Sequence, residues 1–290
     1  MNILSLPLYM RLLVAILIYP ILNSSLDILF SPLTTDSGQV VGELGYLKSV
    51  GTAFLSFIIP AWLSPKIIAS RGQQFVMWYM LLFALHGTAV VEGYFFAPEL
   101  IRSSLLVALL VSATDVFILT SMIIILFVQS GEPRTISNQL AKLSIWKTAS
   151  RWIFASGFYI IVYFVFGMIS YFLVLAPYYD AGIAGLTVPA PETVFKLQLI
   201  RSPILVLSIL PVIMLVPESK KKLGAISGFL LAWYGGFVPL LSVSNILPIP
   251  VVAAHTVEIF FQNFSLGMMV TYLFWMISQQ YSIPKAHHDT

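Results

Sequence analysis

Val251-Val-Ala-Ala-His255-Thr-Val-Glu258-Ile-Phe-Phe-Gln262-Asn263-Phe-Ser265-Leu-Gly-Met-Met269 is an apolar run that carries ionisable groups at helical spacing. At about 100° per residue, His255, Glu258, Gln262 and Ser265 share one narrow arc of a helix. A polar stripe on an otherwise apolar membrane helix must face protein or a water-filled cavity, because carrying it through lipid costs several kcal/mol. The stripe therefore implies a bundle with a polar interior.

The whole chain supports that class. Of 290 residues, 59% are hydrophobic and only 9% are charged, and the mean hydropathy is +0.93. A soluble globule carries roughly a quarter charged residues. The fold class read from this is all-α, a polytopic integral membrane helical bundle over residues 1–290 as one transmembrane domain. The net charge of +3 belongs to loops at one membrane face rather than to a nucleic-acid surface. With no cysteine, disulfides, thiolate metal sites and thiol catalysis are excluded. Arg11 precedes an apolar run without a small-residue cleavage site, which reads as a retained first helix.

Runs long enough to cross about 30 Å of hydrocarbon fall at 8–30, 46–64, 75–97, 103–129, 152–175, 195–216, 225–247 and 251–279. These predict eight helices. The sixth is the least regular, with Lys196, Gln198, Arg201 and Pro203 near its start, and a Pro-rich approach precedes the eighth; either reads as a broken or tilted helix. Arg11, Lys66, Arg71, Arg134, Lys142, Lys147, Arg151, Lys220, Lys221, Lys222 and Lys285 fall on one side, which is 11 of the 15 basic residues. That asymmetry places both termini in the cytoplasm, in a multi-pass plasma-membrane protein. Tryptophans such as Trp62, Trp78, Trp146 and Trp275 lie near helix ends, as interfacial belts or as packing residues.

The 130–151 loop alternates basic and apolar residues and reads as an amphipathic helix on the inner leaflet or as a solvated basic loop. The outer segment 176–194 reads as the longest structureless stretch, either a cover over an outward-facing cavity or a connector. Gly224-Ala-Ile-Ser-Gly228 permits close helix contact. There is no P-loop, zinc-helix motif, nucleophile elbow or dinucleotide glycine cluster. The two Asn-x-Ser triplets, at Asn23 and Asn263, lie inside spans and are coincidences.

The candidate substrate or ion path consists of the ionisable and amide groups inside the spans: Glu258, His255, Arg201, Asp115, His86, Glu92 and Gln262. Asp27 and Lys48 lie at span edges. By depth, Glu92, Arg201, His255 and Glu258 fall in the outer half, and His86 and Asp115 near the midplane. Arg201 is expected to pair with Glu258, and His86 with Asp115. Two donors in His255-x-x-Glu258 suit a metal, but a histidine bonded to its neighbouring carboxylate is the more ordinary arrangement, so neither metal nor cofactor is assigned.

Tyr163-Phe-Val-Phe-Gly167, the Tyr-rich outer loop, Gln198-Leu-Ile-Arg201 and His255-x-x-Glu258 together resemble uncharacterised multi-spanning bacterial inner-membrane proteins. The resemblance covers the C-terminal half and implies no activity. From charge and depth alone, the sequence points to a transporter-like protein with an outward-facing polar cavity for a small polar solute or ion, with proton coupling through Glu258 or Asp115. The alternatives are a membrane enzyme acting on a lipid or lipid-linked substrate, with Glu258 or Asp115 as base, and a non-catalytic membrane subunit. Its expected partners are the bilayer, an unknown solute or lipid, and a second copy or partner subunit.

Overall fold

A computed structural model describes residues 3–30, 43–67, 69–98, 103–129, 144–242, 244 and 246–279. Ten α-helices account for most of them: α1 (Leu8–Phe30), α2 (Glu43–Leu63), α3 (Arg71–Phe96), α4 (Leu105–Phe127), α5 (Ile145–Ser170), α6 (Ala176–Asp180), α7 (Pro191–Leu215), α8 (Lys220–Ala232), α9 (Val238–Ser242) and α10 (Ile249–Gln279). No strand occurs among the described residues. Single π-helical turns, Tyr171–Leu175 and Trp233–Phe237, join α5 to α6 and α8 to α9.

Among the described residues, seven helical stretches are long and apolar enough to cross a membrane. Seven of the eight predicted spans match them, and the second corresponds to α2, a 21-residue helix partly outside the residues with described side chains. Two features differ from the sequence reading. The fifth stretch runs from Ile145 to Asp180, 36 residues, because a π turn continues the helix where Pro177 would otherwise stop it. The sixth, α7, is unbroken despite Pro203 and Pro211 inside it. The 130–143 part of the basic loop lies outside the described residues, and 145–151 form the first turns of α5.

Alternation of helix direction is visible in contacts between ends. Arg11 at the start of α1 donates to the Leu126 carbonyl at the end of α4, 2.9 Å, where a cation satisfies a terminal carbonyl. The indole of Trp78 at the start of α3 donates to Ser64 after α2, 3.0 Å, which makes Trp78 a core residue rather than a belt residue. Trp146 is exposed. Large apolar side chains such as Leu13, Ile21 and Leu173 point outward, the pattern of a helix surface that meets lipid.

The 220–270 region is held by close backbone contact. A Cβ on Gly267 would lie 2.3 Å from the backbone nitrogen of Gly228, so α8 and α10 cross where neither has a side chain. A Cβ on Gly224 would lie 2.9 Å from the Met268 sulfur. The Gly-x-x-x-Gly segment is thus the surface on which the last helix docks.

The 176–194 segment is not the structureless stretch the sequence suggested. After α6 it makes a 3-10 turn at Ile183–Gly185, with Gly182 at φ 62° and Ala184 at φ 56°. Thr187 then donates its backbone N–H to the Phe96 carbonyl at the end of α3, 2.9 Å. Buried Leu175, Leu186, Leu247 and Val251 pack together beneath it with Ala97. Apolar residues within the segment therefore fix it over one end of the bundle.

Candidate functional site

Beneath that cover, α3, α5, α7 and α10 bring together the polar groups of the bundle. Glu92 is in the last turns of α3. Gln198 and Arg201, three apart, present one face of α7, and Tyr159 and Tyr163, four apart, one face of α5. His255, Glu258 and Gln262 follow the arc on α10 read from the sequence.

Arg201 Nη1 donates to Glu92 Oε2 at 2.5 Å. The other Glu92 oxygen accepts from the Tyr163 hydroxyl at 2.6 Å and from Gln198 Nε2 at 3.5 Å. The Arg201 guanidinium also lies 5.9 Å from the Tyr159 ring centre and 6.0 Å from that of Tyr163, within cation–π range. Its side chain is 6% exposed and that of Glu92 21%. A buried charge is tolerated only when paired and hydrogen-bonded, and this cation meets both conditions.

A second group adjoins the first. Glu258 lies 3.1 Å from His255 Nδ1, and its other oxygen accepts from Gln262 Nε2 at 2.9 Å. Gln262 Nε2 also donates to the Tyr163 carbonyl at 3.3 Å, and His255 Nε2 meets the Tyr179 hydroxyl at 3.2 Å. A Cβ on Gly167 would be 3.3 Å from Glu258 Oε1, so α5 approaches the carboxylate closely at that glycine. The two groups adjoin at Tyr163, whose hydroxyl serves Glu92 and whose backbone carbonyl accepts from Gln262; beyond Gln262 the bonds run to Glu258, His255 and the covering Tyr179.

Two expected pairings are corrected. Arg201 takes Glu92 rather than Glu258, because α3 packs beside α7 and presents its carboxylate at the same depth. His86 and Asp115 are not bonded to each other. Asp115 accepts from Tyr19 of α1 at 2.7 Å, while the buried His86 Nε2 has no hydrogen-bond partner. Asp27's side chain lies outside the described residues. The expected His255–Glu258 contact is present, and among the described residues no three His, Cys, Asp or Glu side chains are grouped to hold a metal.

Tyr159, Tyr163, Tyr179 and Asn263 belong to the cluster and were not selected from the sequence. Asn263, fully buried, accepts from the Tyr159 hydroxyl at 3.2 Å and donates to the Leu231 carbonyl at 3.0 Å. Leu231 precedes the Trp233–Phe237 π turn, where the backbone hydrogen-bond register shifts. A Cβ on Gly235 would lie 2.5 Å from the Asn263 amide nitrogen. A phenol at four-residue spacing from another phenol, inside a span, was the available signal. It was hidden by the abundance of aromatics, 14% of the chain.

Apolar helices of this number, length and composition are compatible with a multi-pass membrane protein. In comparisons with protein families, curated proteins and solved structures, no family model, curated protein or solved structure matches the chain.

Proposed function

We propose that the chain is a multi-pass, transporter-like membrane protein in which the Arg201–Glu92 pair and the Glu258–His255 pair form one binding and proton-relay unit for a small solute. The observation that carries this reading is that two hydrogen-bonded groups, Arg201–Glu92–Tyr163 and Gln262–Glu258–His255–Tyr179, adjoin each other inside the apolar bundle. Linked carboxylate, imidazole and hydroxyl groups within apolar helices are the usual components of proton and substrate paths. A purely structural pair needs no such extension toward one face. In this reading the face under the 176–194 cover is the outer one and both termini are cytoplasmic, which the distribution of basic residues supports.

Proteoliposomes enclosing a pH-sensitive dye test the function. Addition of a transported solute should change internal pH with the wild-type protein and not with Glu258→Gln, provided the variant keeps its thermal stability and monodispersity. Equal responses from wild type, Glu258→Gln and Glu92→Gln would contradict the reading. Reporters fused after Lys222 and Gly185 should label opposite sides of the membrane, the first cytoplasmic; the same side for both would contradict the orientation.

A further inference from the structure

At the end of the bundle opposite the polar cluster, α8 opens with Lys220, Lys221 and Lys222. Among the described residues Glu218 is the only acidic side chain at that end, and it is taken by Lys222, whose Nζ lies 2.6 Å from Oε1. Lys220 lies instead over two rings of α10, its Nζ 3.6 Å from the centre of Tyr272 and 5.7 Å from that of Trp275, within cation–π range. Neither Lys220 nor Lys221 has a carboxylate partner among the described residues.

The depth of this corner follows from α10. Tyr272 and Trp275 lie in its last turns, where aromatic rings meet the headgroup layer, and Tyr272 is 66% exposed. Deeper in the membrane the two helices face each other in rungs four residues apart: Lys220 against Tyr272, Gly224 against Met268, Gly228 against Phe264, where a Cβ on Gly228 would come 2.9 Å from the ring. Phe264 stacks on Phe260, and Met268 and Phe260 are exposed. With glycine on the α8 side, the α10 side chains form the outer surface of the seam. From Tyr272 to Phe260 it runs ~18 Å at 1.5 Å per residue, a little more than one leaflet's half of the ~30 Å hydrocarbon layer.

Three lysines against one carboxylate leave two positive charges at headgroup depth above an apolar strip one leaflet long. An ammonium is a point charge with three donors, suited to a phosphate, and the exposed Tyr272 hydroxyl is a further donor beside it. A headgroup that carries its own cation would oppose Lys220 and Lys221, whereas an amine-free phosphodiester supplies the missing anion. Basic residues between membrane helices at this depth are the usual contact for acidic lipid.

We propose that the corner between α8 and α10 holds one acidic phospholipid, its phosphate on Lys220, Lys221 and the Tyr272 hydroxyl and one acyl chain along Met268, Phe264 and Phe260. The site lies at the other end of α10 from Glu258 and stands independently of the transport reading.

The test titrates the full-length protein in detergent micelles with dioleoyl phosphatidylglycerol or dioleoyl phosphatidylcholine and counts bound lipid by native mass spectrometry. One phosphatidylglycerol should bind about tenfold tighter than phosphatidylcholine, whose choline opposes the lysines. Lys220→Gln combined with Lys221→Gln should weaken it about 25-fold, about fivefold for each lysine near the phosphate. Lys66→Gln combined with Lys147→Gln removes the same charge from the same end of the bundle and should change binding by about twofold or less, since screening confines the attraction to nearby groups. Tyr272→Phe should weaken it about fivefold, the scale of one hydrogen bond. Melting temperatures confirm that each variant is folded. Equal binding of the two lipids, or unchanged binding after loss of Lys220 and Lys221, would overturn the inference. An equal loss in the Lys66 and Lys147 variant would reduce the site to diffuse surface charge and overturn it as well. So would displacement of phosphatidylglycerol by an equal concentration of glycerol 3-phosphate, the mark of a site for a free anion rather than a lipid.

Discussion

Glu92 and Asp115 are carboxylates on neighbouring apolar helices, and the bundle treats them differently. Glu92 receives a guanidinium, a phenol and an amide from two other helices. Asp115 receives the phenol of Tyr19, and His86, the other ionisable group of the midplane, leaves its Nε2 unpaired. The first region joins helices through charge, and the second only accommodates polar groups inside an apolar pack. A buried charge with several partners cannot lose one without stranding another, whereas a singly bonded group can be replaced at modest cost.

The largest effect should come from Arg201→Met, which leaves the partly buried Glu92 without its countercharge; a loss of about 3 kcal/mol, the lower end for breaking a buried pair, is expected. Reversible unfolding in mixed micelles would measure it, and a loss no larger than that of Asp115→Asn would abolish the contrast between the regions. Tyr163→Phe removes a hydrogen bond to a charged group and should cost about 1.5–3 kcal/mol. In the midplane, Tyr19→Phe should cost about 0.6 kcal/mol, the average for a hydrogen bond between membrane helices. If the two phenol deletions cost the same, the Glu92 network gains nothing from its additional partners. The smallest effect belongs to His86→Phe, which removes an unpaired buried nitrogen and should be close to neutral. A melting temperature lowered by several degrees would show that His86 has a partner after all.

The sequence disclosed the class of fold because apolar runs of membrane-spanning length are set by local composition. It also disclosed the arc of His255, Glu258 and Gln262, since residues three and four apart on one helix meet whatever lies around them. Partners on different helices were another matter. The sequence puts Glu92 and Glu258 in the same outer half of the bundle as Arg201, and only the packing of α3 against α7 selects between them. The role of Tyr163 depends on α5 facing α3, and that of Asn263 on the π turn at Trp233–Phe237, neither of which has a periodic signature. The cover over the cluster was misread as structureless because its helix is only five residues, Ala176–Asp180, too short for periodicity to show.

Paired double-mutant cycles measure directly which carboxylate partners Arg201. Arg201→Met combined with Glu92→Gln should give a coupling of about 2–3 kcal/mol, near the upper end for residues in one network, while Arg201→Met combined with Glu258→Gln should stay below about 1 kcal/mol. A coupling to Glu258 that equals or exceeds the coupling to Glu92 would contradict the arrangement of the polar cluster described here.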